Sequence, residues 1–570
     1  MIRSARAAVS PRPRGTIRAA VRVALGAALG ASLLAACSSS TPAATDATAT
    51  ASFVAPACHR PVASPVSATP LAGTTSDWTI TSFDGTAIRA HWFPLAGSTS
   101  SHPAPVVLMG PGWGQSGDTD QTGSSGAAFG GVDISAPHRA GYSVLTWDPR
   151  GFGASGGEAE VDSPIAEAKD VSRLIDWVAT RPGVQLDRPG DPRVGMVGGS
   201  YGGGIQWVTA AQDCRIDTIV PIISWNSLVT SLDKTGIAKA GWSSLLIEGA
   251  AAAHLDPTIH AAYAASRTTS SQDPTYVAWF AARGPDHLLK DIHVPTLIVQ
   301  GTVDTLFTLD EGIANYHAVR ANGVPVSMLW FCGGHGLCLT KQGDPGAVEN
   351  AAIAWLDRWL QRDTSADTGP SVDIIDQNGV RYAATQYPLP TSSSLTAEGS
   401  GTLPLVATGG SGPASVPPGS PGASNPIASA VSAILPAKAT TAVDVAIPPP
   451  SKSALVVGAP AVTLTYQGTT PPGTAPTRVF AQVVDDATGQ AVGNQVTPVV
   501  VELDGKQHTT TVNLETISES VAPGQSLTLQ LVPTTVAYAT PRLGGSITFS
   551  RIAVSLPVIR PSAVRVTTAP

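Results

Sequence analysis

The chain has 570 residues, of which 13% are charged and 43% hydrophobic, with 57 glycines, 48 prolines and a formal net charge of −7. That balance excludes a disordered polar chain and, outside the first residues, a surface basic enough for nucleic acid. The length favours two domains after processing, with ample apolar residues for a core and many turns between elements.

The N-terminus sets the compartment. Arg3, Arg6, Arg12, Arg14, Arg18 and Arg22 precede an apolar stretch, Val23 to Ala36, too short to span a bilayer comfortably. It closes on Leu34-Ala35-Ala36-Cys37 followed by serines, and so resembles a bacterial lipoprotein signal with its lipobox. Residues 1–36 are then a signal peptide and Cys37 the acylated first residue of an exported protein. Several acyl chains make a stable anchor where one would be marginal. An ordinary cleaved signal is the alternative, and it too implies export. Cys58, Cys214, Cys332 and Cys338 remain, an even number in an oxidising compartment. Cys332 with Cys338 is favoured because the two are close in sequence, and Cys58 with Cys214 then follows by elimination.

Residues 37–75 are mostly Ser, Thr, Ala and Pro and read as a flexible tether. An α/β region follows over 76–364. Trp78 to Phe83 and Ile88 to Phe93 alternate about Asp84-Gly85, a hairpin. Val106 to Met109 and Tyr142 to Trp147 are continuous apolar runs, as in a parallel sheet covered on both faces. A helix capped by Ser163 comes next. Val194 to Gly199 and Thr218 to Ile223 are further buried strands, and Trp225 to Ile292 reads as a helical cap over the site. The alternation resumes at Pro295 to Gln300, a helix from a capping box Thr308-x-x-Glu311, a last strand at Val326 to Phe331 and a closing helix at Ala347 to Leu360. Residues 370–570 carry short strand-like runs between turns: Val372 to Ile375, Val462 to Tyr466, Val479 to Val484, Leu527 to Leu531 and Ile552 to Leu556. Asn378-Gly379 and Asp504-Gly505 are hairpin turns by composition, so this part is predicted to be a jelly-roll-like β-sandwich. Gly409 to Pro426 is too rich in Gly, Pro and Ser for its core and reads as a mobile surface loop.

The chemistry centres on Gly198-Gly199-Ser200-Tyr201-Gly202, which ends a strand and opens a helix. That order is what a nucleophile elbow requires. The glycines admit a turn too tight for side chains, and the strain lifts Ser200 Oγ clear of the sheet. A serine also needs a base, and a carboxylate to hold that base in one tautomer. Asp304 follows the strand ending at Gln300, and His335 the strand ending at Phe331. The order Ser, Asp, His is that of α/β-hydrolases. Oxyanion donors are the N–H of Tyr201 and, from Gly110-Pro111-Gly112-Trp113, the N–H of Trp113. Two rival readings are weaker. Cys332-x-x-His335-x-x-Cys338 has metal-like spacing but no local fourth ligand. Gly151-Phe152-Gly153-Ala154-Ser155-Gly156 fits a dinucleotide fingerprint but reaches no helix until about Ser163. No cofactor and no metal are implied.

Asp148-Pro149-Arg150-Gly151-Phe152-Gly153-Ala154-Ser155 looks like the Asp-x-Arg-Gly-x-Gly-x-Ser segment of α/β-hydrolases. With Ser200, Gly301-Thr302-Val303-Asp304 and the C-terminal β-region, the chain from about Trp78 to Ile559 resembles the X-Pro dipeptidyl-peptidase and cocaine-esterase-like family. The resemblance implies X-Pro dipeptide release or ester cleavage on a small-molecule or short-peptide substrate. Trp113 stands where the family often supplies an oxyanion-hole tyrosine. In the short cap, Glu248 is the sole residue to name for holding a peptide's ammonium group. The expectation is a lipid-anchored, extracytoplasmic serine hydrolase working through an acyl-enzyme. The rival from another class is an inert binding lipoprotein whose β-domain grips a surface partner.

Overall fold

The computed structural model describes Phe53, Cys58 and residues 65–123, 131–417 and 426–567. The predicted signal peptide, Cys37, most of the predicted tether and the middle of the Gly409–Pro426 segment lie outside the described residues. Among those described, no helix is long and apolar enough to cross a membrane.

A 12-stranded sheet organises the N-terminal two-thirds of the chain. Seven adjacent strands run parallel, in the order Ser143–Trp147, Val106–Met109, Val194–Gly199, Ile216–Ile222, Thr296–Gly301, Val326–Phe331 and Val372–Ile375. Their apolar runs are continuous because helices cover both faces. Val106 and Leu108 pack with Leu174, Ile205 and Val319 from helices Glu167–Val178, Tyr201–Ala210 and Leu309–Arg320. Val107 and Met109 pack on the other face with Ala352, Trp355 and Leu356 from helix Ala347–Trp359. Strands Asp77–Thr81 and Ala87–Phe93 form the expected hairpin, with Ile80 opposite Ile88.

After Val106–Met109 the chain moves outward to Ser143–Trp147, then returns past it to Val194–Gly199. The direction of winding therefore reverses between Val106–Met109 and Val194–Gly199, and the loops at their carboxyl ends part there to leave a crevice. Ser200 and the Gly110–Trp113 loop border it. Helices Leu228–Leu232, Ala240–Gly249, Pro257–Thr269 and Pro274–Ala281, with a two-strand hairpin at Asp233–Lys234 and Ile237–Ala238, form the cap.

The C-terminal part packs a six-stranded antiparallel sheet against a four-stranded one. Val462, Leu464, Phe549 and Ile552 of the first sheet share a core with Val445, Val479 and Leu529 of the second. Alternation of buried with half-buried residues along residues 461–466, and of buried with exposed ones along Val443–Ile447, is what one covered face demands.

Several sequence expectations need correction. Val372–Ile375 does not begin the sandwich; it pairs parallel with Val326–Phe331 and, through the Asn378–Gly379 turn, with Arg381–Ala384. Asp504–Gly505 opens a strand beside a bulge and does not turn a hairpin. The helix after Ser163 starts at Glu167, because the Glu167 carboxylate turns back to accept the N–H groups of Glu160 and Ser163. The helix Leu309–Arg320 starts as read, yet no capping box forms. Thr308 Oγ1 donates to Glu515 in the sandwich, and Glu311 accepts from Asn226 and Ser227 in the cap. The described part of the Gly409–Pro426 segment is packed as well: Ser411 is buried and donates to Gln482 Oε1 at 2.6 Å.

Candidate active site

Ser200 sits between strand and helix with φ +56° and ψ −116°, a conformation that costs a non-glycine residue about 1–3 kcal/mol. The surroundings enforce it. A Cβ on Gly202 would lie 2.0 Å from Gly110 O, so only glycine lets the elbow and the Gly110 loop approach this closely. Gln206 sutures the turn from the helix: Nε2 donates to Gly198 O and Gly202 O, and Oε1 accepts from Val220 N. Nothing in its sequence context singled Gln206 out.

His335 Nε2 lies 2.8 Å from Ser200 Oγ, and His335 Nδ1 lies 2.8 Å from Asp304 Oδ2. The carboxylate only accepts, so Nδ1 carries the proton and Nε2 is left to accept from the serine. Asp304 is fully buried, and each of its oxygens has two donors. Oδ1 takes Leu306 N and Phe307 N, while Oδ2 takes His335 N and Nδ1. Gly334 makes this last pairing possible. It holds φ +103°, and a Cβ there would lie 2.7 Å from Asp304 Oδ2. Trp242 and Phe307 meet the imidazole edge to face, at 5.7 and 5.0 Å between ring centres.

The three strand-end residues therefore meet, as expected from the sequence. Cys332 is joined to Cys338 and Cys58 to Cys214, so the sulfurs flanking His335 bind each other. The N–H of Tyr201 opens its helix and has no partner within it, the position an oxyanion donor needs. Trp113 borders the same cleft, but its indole N–H is spent on Leu246 O at 2.9 Å, which leaves only its backbone N–H for the site. Its ring packs against Phe152 and Tyr201. Gly151 to Gly156 closes a turn on itself, with Gly151 N donating to Gly156 O, around an Asp148 that accepts from Gly117 N and Ala154 N. That segment braces the fold beside the site.

Donors from outside the main sheet also hold the Asp304 loop. Lys239, buried at the start of the first long cap helix, gives Nζ to Thr305 O and Leu306 O. Burial pushes its ammonium down to about 8. Trp242 Nε1 donates to Thr305 Oγ1. From the sandwich, Gln495 Nε2 donates to Asp304 O. Lone lysines and amides in loops gave no signal in the sequence.

Two spaces open beside Ser200. One is a cleft of about 730 Å³ that also reaches His335, Asp118, Asp133, Glu248 and Val431. The other is an apolar recess under the cap, walled by Trp225, Leu228, Phe280, Leu306 and Phe307.

Residues 84–336 match the model of the X-Pro dipeptidyl-peptidase (S15) family. A CocE/NonD family hydrolase from Staphylococcus aureus superposes with a TM-score of 0.59 at 13% identity, over 85% of this chain and 93% of that one. An α-amino acid ester hydrolase superposes with a TM-score of 0.58 at 14% identity, over 85% and 96%. An uncharacterised 31.7 kDa protein of Escherichia coli is 36% identical over 81 residues, 14% of this chain, and the match spans only 27% of that protein. From residue 84 to residue 336, then, the chain carries the sequence pattern of the S15 family model, and it does so on the α/β fold that the CocE/NonD family hydrolase shares.

Proposed function

We propose that the chain is an exported serine hydrolase, held to the outer face of the membrane by acyl groups on Cys37, that cleaves peptide or ester bonds through an acyl-enzyme. The observation that carries the reading is the unbroken hydrogen-bonded line from Ser200 Oγ through His335 to Asp304, each link 2.8 Å. Ser200 Oγ attacks the substrate carbonyl as its proton passes to His335 Nε2. The N–H groups of Tyr201 and Trp113 take the charge that develops on the carbonyl oxygen. His335 then returns the proton to the leaving group as its bond to carbon breaks. Water repeats the sequence on the acyl-enzyme, releasing the acid and freeing Ser200. Asp304 holds the imidazole and offsets its positive charge throughout.

His335 faces the cleft, so the leaving group departs on that side and the acyl group takes the recess. An apolar recess suits the proline ring of an X-Pro dipeptide, the substrate class that the family's description names. A second reading, a carboxylesterase for a short apolar acyl group, is favoured by one observation. The nearby carboxylates Asp118, Asp133 and Glu248 line the cleft, while none of the described residues around the recess is acidic. A fluorophosphonate should label the wild type and not Ser200→Ala; label that survives the substitution removes Ser200 as nucleophile. X-Pro-anilides tested against short acyl nitrophenyl esters choose between the two substrates. Palmitate incorporation that persists in Cys37→Ala would refute the anchor.

A further inference from the structure

The sandwich reaches into the site with two adjacent amides. Asn494 Nδ2 donates to Leu337 O, two residues beyond His335, and Gln495 Nε2 donates to Asp304 O, both at 2.8 Å. Asn494 ends the short turn Val492–Asn494 and Gln495 caps it, between the paired strands Arg478–Asp485 and Thr497–Val500. We propose that Asn494 and Gln495 are positioning residues for the reaction: one rigid turn of the sandwich spans the loop of Asp304 and the loop of His335 and fixes their separation. The inference rests on the reading of Ser200, His335 and Asp304 as the reacting set.

The turn is built to be stiff. Asn494 and Gln495 are 4% and 6% exposed, and both sit in a turn closed by Asn494 N to Ala491 O and Gln495 N to Val492 O. Gln495 Nε2 also donates to Gly493 O at 3.0 Å, which fixes its amide before it meets the loop. Buried amides need partners, and these two find theirs on the carbonyls of the two loops. The seam beneath is tight: a Cβ on Gly336 would lie 1.8 Å from Val303 O and 3.4 Å from Asn494 Nδ2. A small rotation of either loop would therefore open the 2.8 Å link between Asp304 and His335. A misplacement of about 1 Å is worth up to ~10²-fold in rate. Neither amide lines the cleft or the recess, so the effect falls on turnover and not on substrate binding. The charged groups beside the Asp304 loop are Lys239 of the cap, bonded to Thr305 O and Leu306 O, and Glu515 of the sandwich, bonded to Thr308 Oγ1 and Lys234 Nζ; none of these bonds involves Asn494 or Gln495.

The test uses the full chain with a nitrophenyl butyrate as substrate. Gln495→Met, nearly the same shape without the donor, is expected to lower kcat by about 10- to 100-fold with KM within twofold. Its acidic limb in the pH–rate profile is expected to move, because His335 loses part of its carboxylate partner. Asn494→Asp, which faces Leu337 O with an acceptor and keeps a residue that tolerates the turn's positive φ, is expected to do the same. The double variant is expected to be little worse than either single one, since one clamp is broken once. An unmoved kcat and pH profile in either folded variant overturns the inference, as does a loss confined to KM. If Gln495→Met does not fold, Asn494→Asp alone decides. Ser200→Ala separates the two levels: a dead Ser200→Ala beside a fully active Gln495→Met refutes the clamp alone, whereas an active Ser200→Ala refutes the triad.

Discussion

Two carboxyl groups near Ser200, those of Asp304 and Asp162, are equally out of reach of water and are treated in opposite ways. Both residues are 0% exposed. Asp304 receives four N–H groups, two on each oxygen. Neither oxygen of Asp162 has a hydrogen-bond partner among the described residues. Burial raises the Asp162 carboxyl well above the usual range, and the nearby Glu167 raises it further. At equal depth, then, the two carboxyl groups differ in the donors that reach them, and donors to the ionised form oppose the push that burial exerts. Each Asp304 donor comes from a backbone or imidazole fixed by its own loop, whereas Asp162 faces Gly204 and the ring of Trp225.

The largest expected contrast is between the two amide replacements. Asp304→Asn is expected to lower kcat by about 10⁴-fold, because an amide facing Nδ1 favours the wrong tautomer. Asp162→Asn replaces a carboxyl group without hydrogen-bond partners among the described residues by a group of its own shape, at a φ of +53° that asparagine tolerates. It is expected to keep kcat within about tenfold and stability within ~1 kcal/mol. Steady-state turnover and thermal unfolding of both variants check this, and equal losses in the two would end the comparison.

The meeting of Ser200, His335 and Asp304 was legible because each stands at the end of an apolar run, where local order in the chain fixes the end of the sheet to which a side chain belongs. The supply of donors was not legible. Gln206, Lys239, Asn494 and Gln495 act through single contacts made across long stretches of chain, and a lone amide or lysine in a turn has no periodicity to betray it. Thr308 and Glu311 show the converse, a pattern of known meaning whose side chains tertiary partners recruited elsewhere. Val372–Ile375 was given to the wrong sheet because four apolar residues specify burial and not a neighbour. Gly409 to Ser411 looked like loop by composition, yet a buried serine bonded to Gln482 fixes it.

The disulfides sharpen the contrast between holding a fold and holding a site. Cys58–Cys214 spans 156 residues and Cys332–Cys338 spans 6. On chain entropy alone the first is worth about 5 kcal/mol and the second about 2 kcal/mol. The double serine variant at 58 and 214 is expected to lose more stability while the folded fraction turns over normally. The pair at 332 and 338 should lose less stability and more turnover, because His335 lies between them. Unfolding midpoints and turnover measured side by side read both, and the reverse pattern would mean that the short bridge does not order the histidine loop.

The smallest effect comes from the carboxyl group beside Asp162. Burial lifts Glu167 to about 7, and it accepts from Ser163 N at 2.9 Å and from Tyr201 Oη at 3.3 Å. Its folded-state value lies above the ordinary 4.5, so between pH 4.5 and about 7 the folded chain keeps a proton that the unfolded chain has released. The contribution of Glu167 to stability is therefore full below pH 4.5 and declines as pH rises through that window, by at most ~1.4 kcal/mol per pH unit. Glu167→Gln keeps an oxygen to accept from Ser163 N but cannot ionise, so its unfolding midpoint should fall less than that of the wild type between pH 5 and pH 7. Parallel midpoints across that range would mean that Glu167 is already charged when folded. The N–H groups of Glu160 and Ser163 would then suffice to hold it ionised, and the contrast with Asp304 would rest on Asp162 alone.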